Sequence, residues 1–168
     1  MKHSERERLF LELFDRHRAR IQRLCFGYLN SAAESEDLFQ EIMTNVWNSL
    51  PGFRGDSQPG TWLYRVAVNT ALMYRRKRRA TEELSDLPDA ASGPHQTLEQ
   101  KERLAALHRA IATLPDQDRL IVTLLLEGLS YREIAEITGI TVNYVGVKLN
   151  RIKQAIEHKM TEVGNGAV

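Results

Sequence analysis

Thr61–Arg79 reads TWLYRVAVNTALMYRRKRR. Trp62/Leu63, Val66/Ala67, Thr70/Ala71 and Tyr74 recur in steps of three and four, which draws one buried stripe along a helix. Arg65, Asn69, Met73 and Arg76 form a second stripe that presents polar groups on the exposed side. The helix then runs into five consecutive cations, Arg75, Arg76, Lys77, Arg78 and Arg79. One or two cations suit the negative end of a helix dipole. Five in a row repel one another unless a polyanion is close, so the run points to phosphate. Trp62, Tyr64 and Tyr74 lie just upstream, and aromatic faces beside a basic groove suit unpaired bases.

The rest of the composition narrows the class. A chain of 168 residues has room for one ordinary domain or two small ones, and 42% hydrophobic content suffices for real cores. The single Cys25 excludes an internal disulfide and an all-cysteine metal site, and its apolar setting reads as an inert thiol. No apolar run approaches a membrane span, and the start MKHSERER lacks a signal peptide's apolar segment. The chain therefore reads as cytoplasmic, without membrane insertion. Its histidines fall in unrelated settings with no H-x-x-x-H pair, and there is no glycine-rich phosphate loop. No catalytic residue, metal site or cofactor is expected.

The net charge of +1 hides a segmentation. Residues 1–80 hold 14 Lys/Arg against 9 Asp/Glu, residues 81–118 hold 3 against 8, and residues 119–168 hold 6 against 5. Two polyanion-binding modules around an acidic spacer fit that order.

Upstream of the basic helix, two helices are expected over about Ser4–Tyr28 and Glu34–Leu50, joined by a turn and with Ser35 as the cap of the second. The second carries a wide apolar stripe, Leu38, Phe39, Ile42, Met43, Val46, Trp47 and Leu50. Asp37, Gln40, Glu41, Thr44, Asn45 and Asn48 fill the remainder. A polar face whose only charge is acidic is ill suited to DNA and suits a basic protein partner. Pro51–Gly60 is rich in breakers and reads as an irregular loop, longer than a plain turn needs, with Phe53, Arg54 and Asp56 at its bend.

Downstream, Ala80–Gln96 loses periodicity and reads as a flexible linker. Helix returns over about Thr97–Thr113, with Leu98, Leu104, Leu107, Ile111 and Leu114 on one buried face, and restarts after Pro115 with Asp116 as a cap. Ser130-Tyr131-Arg132-Glu133 has the form of a capping box, Gly139 breaks the chain two turns later, and Thr141 caps a long helix, Val142–Met160. That is a helix-turn-helix pattern. Val145, Leu149, Ile152 and Ile156 would hold its second helix down. Asn143, Tyr144, Val147, Lys148 and Arg151 then face outward, where a recognition helix reads base edges.

With both halves in view, the chain resembles bacterial sigma factors of the extracytoplasmic-function (ECF) group. The resemblance covers about residues 9–79 and 98–160. It rests on Asp37-Leu38-Phe39-Gln40-Glu41 with Trp47, on Phe53-Arg54-Gly55, on Thr61-Trp62-Leu63-Tyr64-Arg65 with Asn69, and on the Arg75–Arg79 run. In the second half it rests on Leu114-Pro115 and on Gly128 through Ala135. The order and spacing of these pieces are specific where each alone is weak.

The resemblance implies an all-α chain of two small helical domains, 1–80 and 98–168, joined by a linker over 81–97. It implies a transcription initiation factor that takes core RNA polymerase to promoters. Asp37, Leu38, Phe39, Gln40, Glu41, Asn45 and Trp47 would meet the polymerase, chiefly the clamp coiled coil of its largest subunit, with the second-largest subunit also a partner. Phe53, Arg54, Asp56, Trp62, Arg65, Asn69 and the run Arg75, Arg76, Lys77, Arg78, Arg79 would take the melted −10 strand, with one base flipped into the loop. Arg132, Thr141, Asn143, Tyr144, Val147, Lys148, Arg151 and Lys153 would take the −35 duplex. An anti-sigma factor is the implied inhibitor.

The family commonly has Lys, Ser and Arg at the positions of Gly146, Val147 and Lys148, so the −35 sequence does not carry over. Val147 cannot hydrogen-bond and matches a thymine methyl instead. Gly146 costs a helix about 1 kcal/mol relative to alanine, which implies a close approach there. The alternative reading is a stand-alone helix-turn-helix regulator, which would have no use for the Asp37–Trp47 face and would normally dimerise.

Overall fold

The computed structural model describes residues 1–81 and 97–166, so most of the expected linker lies outside the described residues. The described residues form seven α-helices: α1 His3–Leu29, α2 Ala32–Ser49, α3 Pro59–Thr81, α4 Leu98–Ala112, α5 Asp116–Leu126, α6 Tyr131–Thr138 and α7 Val142–Asn165. No strand occurs among them, and no helix is long and apolar enough to cross a membrane.

Local chemistry sets most boundaries. Asn30 ends α1 in the left-handed region at φ 51°, its N–H returned to the Phe26 carbonyl. Asparagine tolerates that conformation better than most residues. Ser31, not Ser35, caps α2: its side chain accepts from the Glu34 N–H. Ser35 is buried one turn on, and its hydroxyl donates to the Ser31 carbonyl. The breaker-rich stretch is more ordered than its composition implies. Leu50–Gly52 is a 3₁₀ turn, and Pro59-Gly60 opens α3, so the irregular loop shrinks to residues 53–58. Proline is tolerated there because first-turn N–H groups lack intrahelical partners anyway.

Helices α1, α2 and α3 pack on one another around Ile21, Leu24, Tyr28, Leu38, Ile42, Val46, Leu63, Ala67 and Ala71. Helices α4 to α7 pack around Ile111, Leu120, Ile121, Leu124, Ile134, Val145 and Leu149. Leu98 does not join them. It stands 75% exposed in the first turn of α4, beyond the reach of the helices that cover Leu104 and Leu107.

The two halves also pack on each other, α3 against α5 and α6 and α1 against α4 and α5, and one apolar core runs through both. At the junction, Arg119 of α5 is 4% exposed. Its guanidinium donates to the Tyr28 carbonyl at the end of α1 and to the Ala112 and Leu114 carbonyls after α4. Helix C-termini leave carbonyls without intrahelical partners, and a buried guanidinium with several donors satisfies them together. Burial holds Arg119 below the usual guanidinium range, with Arg75 adding to the effect.

Two imidazoles lie in half-buried seams, His17 edge-on to Tyr64 and His108 of α4 edge-on to Phe26 of α1. Burial depresses both, and for His17 the neighbouring Arg16 and Arg20 depress it further. The folded chain thus binds these protons more weakly than the unfolded chain. Their neutral-state stability is intact above about pH 6.5 and declines as pH falls through the depressed folded values. The midpoint of urea unfolding should therefore drop between pH 7.5 and 5.5, and the double substitution His17→Gln/His108→Gln should flatten the drop. An unchanged slope in the double variant would remove the histidines from the account.

Candidate nucleic-acid and polymerase interfaces

Helix α2 carries no Lys or Arg at all, and its outer face is Glu36, Asp37, Gln40, Thr44 and Asn48. Of the residues expected to meet a protein partner, Asp37 and Gln40 are exposed and Glu41 is half-exposed, 3.7 Å from Lys77 Nζ. Leu38 is a correction. It is fully buried in the α1–α2–α3 core and offers nothing to a partner in this conformation. Asn45 and Trp47 also have internal work. The Asn45 amide donates to Thr70 Oγ1 at 3.0 Å, and Trp47 lies 4.0 Å beneath the Arg6 guanidinium, with Phe10 edge-on. Arg6 also donates to the Trp47 carbonyl, which ties the start of α1 to the end of α2.

Around α3 the expected single-strand contacts divide into two groups. Arg54, Asp56, Asn69 and Arg76 are exposed, Met73 stands 56% exposed beside them, and Phe53 tilts against Trp62 with ring centroids 5.2 Å apart. That leaves a half-open aromatic pair next to cations, a surface on which an unstacked base can rest. The second group is occupied from within. Arg65 Nε donates to the Glu136 carbonyl of α6 at 3.0 Å. Asp116 Oδ1 lies 2.6 Å from Arg79 and 3.5 Å from Arg75. Arg78 lies 2.9 Å from Glu34 and donates to the Tyr74 hydroxyl. Asp116, expected as a helix cap, makes no capping hydrogen bond; Pro115 stands at the cap position and Asp116 pairs with these arginines.

The helix-turn-helix is built as its sequence signals. Ser130 and Glu133 make the reciprocal capping box, and the hydrogen bond from the Ser130 N–H lowers the Glu133 carboxyl below its ordinary range. Gly139 closes α6 at φ 76°, a left-handed position that a glycine adopts without strain. Thr141 caps α7 by accepting from the Tyr144 N–H. Val145, Leu149 and Ile152 are buried, while Asn143, Tyr144, Val147 and Arg151 are exposed, as are Arg132 and Lys153. Lys148 is the exception: it lies 2.7 Å from Asp118 and over the Tyr144 ring, its side chain 16% exposed. The close approach at Gly146 is to Tyr131, whose ring edge would stand 3.6 Å from an added Cβ, an ordinary contact.

Comparison with known proteins fits this arrangement. The Sigma-70 region 2 model matches residues 13–81, and the Sigma-70 region 4 model matches residues 104–156. The chain is 32% identical to the ECF RNA polymerase sigma-E factor of Escherichia coli K12, over 92% of this chain and 87% of that protein. It belongs to the ECF sigma factors. A second relative, the RNA polymerase sigma-H factor of Pseudomonas aeruginosa, is 33% identical over 90% of this chain and 86% of its own.

Among solved structures, the sigma factor RpoE in complex with the anti-sigma factor NepR from Bartonella quintana superposes with a TM-score of 0.69. The match is at 17% identity and covers 95% of this chain and 98% of that one. CnrH in complex with the cytosolic domain of CnrY gives 0.64 at 20% identity, covering 96% and 91%. Both show the same helical fold.

Sigma factors are transcription initiation factors, and this ECF sigma factor carries features that motif reading passed over. Arg119 sits inside the apolar run Asp116–Leu126 and reads there as an ordinary polar position. Its partners lie on other elements, one of them 91 residues away, so no spacing rule marks it. Arg23 of α1 pairs with Glu127, just after α5, at 2.9 Å. Cys25 is buried, and burial pushes its thiol up to about 12, so it is a core residue rather than a nucleophile.

Proposed function

We propose that this ECF sigma factor binds core RNA polymerase through the outer face of α2, takes the melted −10 strand on the loop 53–58 and α3, and reads the −35 duplex with α7. Residues 1–80 and 98–168 then act as the two promoter-reading modules and 81–97 as their connection. One observation carries the reading. A helix with an acid-only face lies against a helix that bears aromatic rings and cations, so a protein-facing and a strand-facing surface adjoin in one half of the chain. Proteins of similar fold have been solved with the anti-sigma factor NepR and with the cytosolic domain of CnrY. An anti-sigma factor is accordingly the expected inhibitor, and the bacterial cytoplasm the expected compartment. The direct test is co-migration with purified core polymerase on gel filtration, followed by transcription from promoters selected out of a random pool. A folded chain that never joins the polymerase would sink the reading.

Base readout gives a second, finer test. Val147 is 39% exposed on α7, between Asn143 and Arg151, and has no polar atom to offer. It suits a thymine methyl, whereas Asn143 suits adenine. In a selected −35 duplex, replacing one thymine by deoxyuridine removes that methyl alone. Affinity of the holoenzyme should fall about fourfold at one position, the value of one buried methyl-sized group. Val147→Ala should abolish the sensitivity. If no single replacement matters in the parent protein, Val147 does not read the groove.

A further inference from the structure

Among the described residues of α6 and α7, Lys148 is the one lysine or arginine that is not exposed. Asp118 Oδ1 of α5 holds its Nζ at 2.7 Å, and the same Nζ lies 5.3 Å from the centroid of the Tyr144 ring. The side chains of the pair are 16% and 24% exposed. A partly buried ion pair is screened less than a surface pair, and the aromatic face adds to the hold. Asp118 is itself favoured where it stands, in the first turn of α5 at the positive end of that helix. Tyr144, Lys148 and Arg151 are spaced four and three apart on α7, so Lys148 lies between two groups that do reach solvent.

We propose that Asp118 is a specificity-determining residue for the −35 element: by holding Lys148 back, it takes one base-reading cation out of the recognition helix. The proposal deepens the reading of α7 given above and rests on it. Lysine offers three N–H donors and no acceptor, and its partner on a base edge is guanine O6 or N7. With Asp118 accepting from Nζ and the Tyr144 ring beside it, that donor set is committed to the protein. The charge is matched as well, so Lys148 releases no counterion when phosphate comes near. Readout then falls to Asn143 and Val147, whose exposed side chains suit adenine and a thymine methyl. A −35 preference that leans to A and T therefore follows from what α5 does to α7 as much as from α7 itself. Asp118 touches no base in this account. It acts through Lys148.

A double-mutant cycle in the holoenzyme tests this. The parent, Asp118→Ala, Lys148→Ala and the double variant are each assembled with core polymerase and titrated on duplexes carrying every base at every −35 position. Asp118→Ala should tighten binding and steepen the fall of log affinity with log salt by about 0.9. It should also create a preference for guanine of about fivefold or more at one position. Lys148→Ala should erase these changes, so its effect in the Asp118→Ala background should exceed its effect in the parent by about fivefold or more. Equal effects in the two backgrounds, or an unchanged base preference in Asp118→Ala, would overturn the proposal. So would uniformly weaker binding by Asp118→Ala with a lower urea midpoint, the mark of a mere brace between α5 and α7. Asp118→Asn keeps the shape and drops the charge; it should show the same guanine preference even where the alanine variant folds poorly. A parent holoenzyme indifferent to every −35 base overturns the reading of α7, and the proposal with it. A parent that reads the element without coupling between Asp118 and Lys148 overturns the proposal alone.

Discussion

Replacing Arg119 by alanine is expected to cost on the order of 3 kcal/mol of folding stability. The guanidinium is buried, lies over the Tyr28 ring at 5.7 Å, and serves carbonyls at the ends of two helices. Alanine removes the donors and leaves the acceptors shut away from water, which is the costly half of the exchange. With a urea dependence of roughly 1–3 kcal/mol per molar, the unfolding midpoint should fall by about 1 M or more. Lysine should recover part of the loss, since it keeps a charge and three donors but not the planar fork. Arg109→Ala, on the exposed side of α4, is the control and should change little. Equal midpoints for the two variants would mean that Arg119 does not join the halves.

The second large effect is on partner binding. Asp37→Arg should weaken association with core polymerase by about a hundredfold while leaving the unfolding midpoint where it was. Asp37 is exposed and makes no ion pair among the described residues, so the fold loses nothing when its charge reverses. Placing like charge against a basic partner costs several kcal/mol. Leu38→Asp and Trp47→Ala should also reduce binding, but by another route. Leu38 is core and Trp47 anchors Arg6, so both should lower the unfolding midpoint first. Measuring affinity and stability on the same samples separates the two causes. Wild-type affinity for Asp37→Arg would move the polymerase contact off α2.

What the sequence discloses here depends on whether a signal is local. The capping box Ser130–Glu133, the break at Gly139 and the cap Thr141 are each complete within a few residues, and each occurs where its chemistry says. Periodicity likewise finds the faces of α2 and α7. It fails where burial depends on a neighbour's length, so Leu98 keeps the spacing of a core residue but stands in solvent. It also fails where one residue has two plausible uses. Asp116 has the position and the chemistry of a cap, and the competing attraction of two arginines on α3 prevails. The candidate contact residues were legible as a set but not in their exposure. Leu38 belongs to the motif that carries the family resemblance, yet its place is inside. Lys148 faces the groove side by spacing, but Asp118 holds it from a helix 30 residues earlier.

The chain has two tryptophans, and each lies in a different setting. Trp47 lies at the end of α2 under a guanidinium, and Trp62 lies at the head of α3 against Phe53 of the loop. Neither occurs in residues 97–166. Tryptophan fluorescence therefore comes wholly from the first half, split between the end of α2 and the head of α3. With Trp47→Phe or Trp62→Phe, one emission band can be followed at a time in the free chain, without a dye. Loosening at the end of α2 and at the head of α3 can then be timed separately from the chain's own light.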